Sequence, residues 1–183
     1  MDQRHARTVR SKAALKAAFL ELFRTKEPEE ISVVELCQKA GLNRSTFYAH
    51  YDYMDQLIRE VLWESVKEEF VGQDAQWDLP LENGGVNRAF IASYLRRLLN
   101  NPTVMRFCTC ANNGNYRTLI IRAHVDLTLG TSKDPTGYYY AYFHNAGVLN
   151  LLLDWLNNDS PIPFDTLVEI IYEFSKVMYH SRS

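Results

Sequence analysis

From residue 32 onward, apolar side chains recur at spacings of three and four in one run after another, which is the pattern of amphipathic helices. Val33, Leu36, Cys37 and Ala40 form one such face. Ser32 and Glu35 have the S-x-x-E spacing of a capping box, in which each side chain satisfies an orphan backbone donor of the first turn. Gly41 follows, and a glycine just past a helix end can take the left-handed conformation that closes the helix sharply. Leu42 then returns to the core, and Asn43 is placed to cap a second helix from Arg44 to His50.

The same periodicity predicts helices over most of the remaining chain. Residues 57–71 continue a fourth helix, residues 72–85 read as a loop around Pro80 and Gly84, and residues 86–100 are periodic through Phe90, Tyr94, Leu95 and Leu98. Pro102 starts a short helix to about Cys108, residues 116–129 give another that ends near Gly130, and residues 135–157 form a long one. Pro163 opens the last helix, to about Tyr179. No alternating strand pattern rises above this background, and no internal repeat or low-complexity tract is visible. The expected fold class is all-α, with about nine helices.

The residues of the second short helix sort by direction. With Phe47 facing inward and about 100° per residue, Tyr51 joins it on the buried side. Ser45, Thr46, Tyr48 and Ala49 point away, and Arg44 and His50 lie on the flanks. Two short helices joined by a glycine turn, the second with polar side chains facing out, suit the major groove of DNA. Arg44 sits near the amino end, where recognition helices meet base edges, and arginine can pair bidentately with guanine. Thr46, Tyr48 and His50 can donate hydrogen bonds to phosphate oxygens. A surface helix with ordinary polar residues is the bland alternative.

About the first third of the chain resembles the DNA-binding domain of TetR-type transcriptional regulators. The resemblance lies in Ala17, Ala18, Phe19, Leu22 and Phe23, then Ile31, Val33, Leu36 and Ala40-Gly41-Leu42, then Ser45-Thr46-Phe47-Tyr48, His50-Tyr51 and Leu57. It implies an amino-terminal helix-turn-helix domain of three helices over residues 1–56. It also implies a helical effector-binding and dimerisation domain over residues 57–183. The implied protein is a homodimer on a palindromic operator, and a small-molecule effector in its second domain releases the DNA. One departure stands out: where many relatives carry a lysine at the start of the fourth helix, this chain has Met54. Either that phosphate contact is missing or Tyr53 supplies a hydroxyl instead. The run from Phe143 to Asp159 is similar, more weakly, to the carboxy-terminal signature of a subgroup common in Gram-positive bacteria.

Charge refines this picture locally. The whole chain carries a formal −2, which argues against a generic polyanion binder. Residues 1–16 hold Arg4, Arg7, Arg10, Lys12 and Lys16 against Asp2, a local +4 that leaves −6 on the remainder. Arg10 and Lys12 can track the phosphate backbone as part of a basic arm, and such contacts weaken steeply with salt. A solvated tail is the alternative reading. No apolar run reaches membrane-spanning length and no signal-peptide pattern is present, so a cytoplasmic location without membrane contact is expected.

Nothing in the residues calls for a cofactor or a metal. Cys37 reads as a small buried hydrophobe, and Cys108 and Cys110 form a C-x-C pair without the spacing or ligand count of a structural zinc site. A metal or redox role for that pair, with His124 as a distant helper, is the less economical reading. No Ser-His-Asp order, phosphate loop or paired-carboxylate signature points to an enzyme.

Two surfaces follow for the second domain. The last two long helices are broadly apolar, and a helix apolar on most sides needs cover on most sides. A second copy packed as a four-helix bundle supplies it, with Tyr142, Ala146, Leu149, Leu153, Leu167, Ile171, Phe174 and Met178 at the interface. A single intramolecular core is the alternative. Tyr94, Phe107, Cys110, Tyr116, His124, Tyr140 and His144 are polar or aromatic positions that could line an effector pocket, or could be satisfied core residues. A chain without such a pocket would be a ligand-independent co-regulator or activator that acts with a partner protein.

Overall fold

The computed structural model describes residues 3–70, 87–111, 113–129 and 135–180. The proposed loop at 72–85 and the turn at Gly130 lie outside the described residues. Among the described residues the fold is all-α, nine α-helices with one short 3-10 turn and no strand. The order is α1 (Gln3–Phe23), the 3-10 turn (Pro28–Glu30), α2 (Val33–Ala40), α3 (Arg44–Tyr48) and α4 (Met54–Phe70). Then follow α5 (Arg88–Asn100), α6 (Pro102–Thr109), α7 (Asn113–Leu129), α8 (Pro135–Asn157) and α9 (Phe164–His180). None of these helices is long and apolar enough to cross a membrane.

Helix ends form where local chemistry satisfies orphan backbone groups. Asn87 caps α5 by accepting from the Ala89 amide at 2.7 Å, and Asn101 caps α6 by accepting from the Val104 amide at 3.0 Å. Pro102 occupies the first position of α6, where its missing N–H costs nothing.

One contiguous core runs through the molecule. Leu15, Phe19 and Phe23 of α1 pack with Leu36, Phe47 and Leu57. Phe107 of α6 enters the same cluster, its ring centroid 4.3 Å from that of Phe23. The boundary expected at residue 56 falls inside α4, a continuous helix from Met54 to Phe70. Leu57, Ile58, Val61, Leu62 and Val66 are all buried along it. Each such side chain contributes roughly 1.5–3 kcal/mol on burial, so α4 is fastened along most of its length.

The segment from the end of α1 through the 3-10 turn is also tied to α6 and α7 by polar groups. Arg106 donates to the Phe23 and Lys26 carbonyls and pairs with Glu27 at 3.0 Å. The other Glu27 oxygen accepts from the Ala111 amide at 2.9 Å, and Tyr116 Oη donates to Glu29 at 3.0 Å.

Candidate nucleic-acid interface

The α2–α3 corner is built from a cap, a left-handed glycine and two aromatic anchors. Ser32 Oγ accepts from the Glu35 amide at 3.2 Å and starts α2. The reciprocal half of the expected capping box is replaced, because Glu35 turns to Lys26 at 2.6 Å and so ties α2 to the end of α1. Gly41 stands at φ 66°, where a Cβ would be strained, and the Leu42 amide reaches back to the Cys37 carbonyl at 2.9 Å. Asn43 begins α3 in extended conformation without a side-chain cap bond.

α3 is shorter than the sequence suggests. It ends at Tyr48, and the His50 and Tyr51 amides both close onto the Phe47 carbonyl at 2.9 Å. Phe47 is fully buried and Tyr51 nearly so, with ring centroids 5.6 Å apart. Arg44, Ser45, Tyr48 and Ala49 are exposed, as the helical geometry predicts. Thr46 is half-buried, a poorer candidate for a long reach. Tyr53, just before α4, is 57% exposed. Arg44 and Arg10 are exposed and have no ion pair among the described residues.

Two of the basic or polar candidates are engaged within the chain. His50 Nε2 lies 2.6 Å from Ser11 Oγ, while the Ser11 hydroxyl is also within hydrogen-bond reach of the Arg7 and Thr8 carbonyls. The imidazole nitrogen and the hydroxyl share one proton between them, and the tautomer decides which of the two donates. The contact braces α1 against the α3 corner. Lys12 pairs with Glu60 of α4 at 2.8 Å and lies over the Tyr51 ring at 5.0 Å. Lys16 bonds Glu60 at 3.3 Å and Glu64 at 2.6 Å. Partial burial pushes the Glu60 carboxyl up, but the lysine hydrogen bonds outweigh it and hold the group below the usual carboxylate range.

The seven effector-pocket candidates fall in four places. Phe107, Cys110 and Tyr116 sit at the junction with the first domain. Phe107 is fully buried between Phe23 and Tyr116, the latter 5.1 Å away between centroids. Cys110 is buried with Sγ directed at the Phe107 carbonyl, and burial pushes its thiol up. Tyr94 and His124 meet edge to face at 5.6 Å, and His124 Nδ1 lies 2.8 Å from the Ile120 carbonyl of its own helix. His144 Nε2 meets Ser175 Oγ at 2.7 Å in the seam between α8 and α9. Tyr140 is exposed. Among the described residues no group of three or more His, Cys, Asp or Glu could hold a metal.

The interface candidates divide as well. Leu149, Leu153, Leu167 and Ile171 are buried within this chain, so they belong to its own core. Tyr142 and Ala146 are half-buried. Phe174 is 70% exposed, and the Met178 side chain lies outside the described residues. Phe143 is also 70% exposed. Phe143, Gly147, Leu151, Ile171 and Phe174 line an apolar groove of about 290 Å³ between α8 and α9. Phe143 and Leu151 are absent from the interface set expected from sequence, because a helix apolar nearly all round gives no contrast by which to orient it.

Comparison with known proteins adds fold and kinship to this geometry. No protein-family model matches the chain. It is 24% identical over 184 residues to the uncharacterized HTH-type transcriptional regulator YxbF of Bacillus subtilis (strain 168). That match takes in 93% of this chain and 46% of the relative, so the chain spans about half the length of the curated protein it matches. Its structure superposes on that of a TetR transcriptional regulator from Rhodococcus sp. RHA1 with a TM-score of 0.57 and 16% identity, covering 100% of both chains. The TetR family repressor AlkX from Dietzia sp. Strain DQ12-45-1b gives a TM-score of 0.47 with 14% identity, over 91% of this chain and 95% of that one.

Proposed function

We propose that this chain, which has the fold of TetR-type regulators, is a homodimeric sequence-specific DNA-binding transcriptional regulator. In this reading it is a repressor, released when a small molecule enters the α4–α9 domain. The observation that carries the reading is the two-faced α3 corner: Phe47 and Tyr51 are buried, while Arg44, Ser45 and Tyr48 stand free at the surface. A helix anchored so firmly on one side can enter a groove without rearranging. Arg44 reads base edges, and Ser45, Tyr48, Tyr53 and Arg10 contact phosphates. Thr46 takes part only at close approach, and Lys12 and His50 hold α1, α3 and α4 together behind that surface.

The apolar groove between α8 and α9 supports the dimer. Two exposed phenylalanines flanking a concave apolar strip suit an isologous contact with the same strip of a second copy. A two-fold pair of α3 helices would read half-sites about one DNA turn apart, roughly 34 Å.

Selection of bound duplexes from random DNA tests the reading. A palindrome is expected, with affinity falling steeply as salt rises. Failure to bind any duplex in dilute buffer would overturn it.

A further inference from the structure

Arg97 lies in the third turn of α5, and its Nε and Nη2 atoms are shut off from solvent with no hydrogen-bond partner. Its neighbours on the helix show where that side of α5 looks. Tyr94, three residues earlier, meets the buried His124 of α7. Asn101, four residues later, donates from Nδ2 to the Ser65 carbonyl of α4 at 3.0 Å. Residues three and four apart share a helix face, so Arg97 looks toward α4 and α7. Other arginines serve the α9 side: Arg88 clamps the Glu169 carboxylate and Arg96 lies over the Phe164 ring.

A guanidinium stays charged at any physiological pH. Arg97 as a whole is half-buried, so its charge keeps part of its water, but each of its two enclosed nitrogens forgoes a hydrogen bond, a cost the fold carries without return. Arg59, Arg88 and Arg106 are paired with Asp55, Glu169 and Glu27, whereas Arg10 and Arg44 stand unpaired but exposed to water. Among the described residues Arg97 has no such partner. Phe90, Tyr94 and Arg97 follow the i, i+4, i+7 spacing of one face, so the unpaired charge sits at the end of an aromatic strip.

We propose that Arg97 is the anion subsite of the effector pocket: it receives the carboxylate of a small organic acid whose apolar body packs along Phe90 and Tyr94. The inference rests on the reading that α4–α9 hold an effector. The planar fork matches a planar carboxylate at two points. The aromatic strip favours an organic body over a hydrated inorganic ion.

The test is the melting temperature of the full chain with millimolar benzoate or decanoate. Benzamide and decan-1-ol serve as uncharged counterparts, and inorganic phosphate as a further arm. A carboxylate is expected to raise the melting temperature of the wild type by several degrees, with no comparable rise from its uncharged counterpart. Arg97→Met should lose that response yet melt no lower than the wild type, since it removes an uncompensated charge and keeps an apolar stem. Arg97→Lys should keep part of the response. No carboxylate response, a response undiminished in Arg97→Met, or a response to phosphate alone overturns the assignment. An Arg97→Met protein that melts well below the wild type also overturns it, because the guanidinium would then be satisfied within the chain. DNA binding without effector is measured alongside. Binding to DNA with no carboxylate response defeats this inference alone, and a carboxylate response with no DNA binding defeats the regulator reading alone.

Discussion

In the proposed function, Arg44 is the residue on which sequence reading by this surface turns. It is exposed at the first position of α3 and has no ion pair among the described residues. A bidentate pair with guanine is worth about 1–3 kcal/mol of discrimination. Arg44→Ala should therefore weaken binding to the selected operator by roughly 5-fold to 150-fold while changing binding to random duplex far less. Equal losses on both, in competition titrations at fixed salt, would assign Arg44 to phosphate instead. The outward set at α3 was legible in the sequence because Phe47 and Tyr51 fix the helix's rotation. His50 was not, since its partner Ser11 lies 39 residues away on α1 and no local pattern links them. The Lys12 pairing was hidden for the same reason: a basic residue in an amino-terminal run looks unengaged until Glu60 of α4 is brought to 2.8 Å.

At the scale of elements, helix type and order were readable wherever a polar face contrasted with an apolar one, as on α2, α5 and α9. α8 offered no such contrast, so its buried and open sides emerged only from packing. The α8–α9 seam also holds a titratable group. His144 Nε2 lies 2.7 Å from Ser175 Oγ, and that hydroxyl is also 2.7 Å from the Ile171 carbonyl. Burial pushes the His144 pKa below the usual histidine range. The native state then binds fewer protons than the unfolded chain, so stability rises with pH. The contribution is complete above the unfolded value of 6.5 and is lost as pH falls below it, toward the folded pKa. The melting temperature of the wild type should accordingly drop more steeply than that of His144→Gln between about pH 7.5 and about pH 5.5. Parallel curves would show that other groups carry the acid sensitivity.

At the scale of the whole molecule, the described residues join the first helices to α6 and α7 and leave an apolar strip open between α8 and α9. The stack of Phe19, Phe23, Phe107 and Tyr116 and the Arg106–Glu27 pair bind the α1–α3 end to α6 and α7. The strip between α8 and α9 is open because Phe143 and Phe174 find no cover within the chain. A side chain that is 70% exposed contributes little to the monomer's core, so Phe174→Glu should leave the fold and its melting behaviour nearly intact. Two glutamates brought together at a two-fold contact would instead face each other in a partly desolvated seam. Sedimentation at micromolar concentration should show a dimeric wild type and a monomeric Phe174→Glu. Because a dimer gains its second half-site at high effective concentration, operator affinity should fall by roughly 10²-fold or more in the variant. Binding to an isolated half-site should change little. A wild type that sediments as a monomer, or a Phe174→Glu variant that stays dimeric with full operator affinity, would put the two-fold contact elsewhere or remove it, and the spacing expected of the operator would go with it.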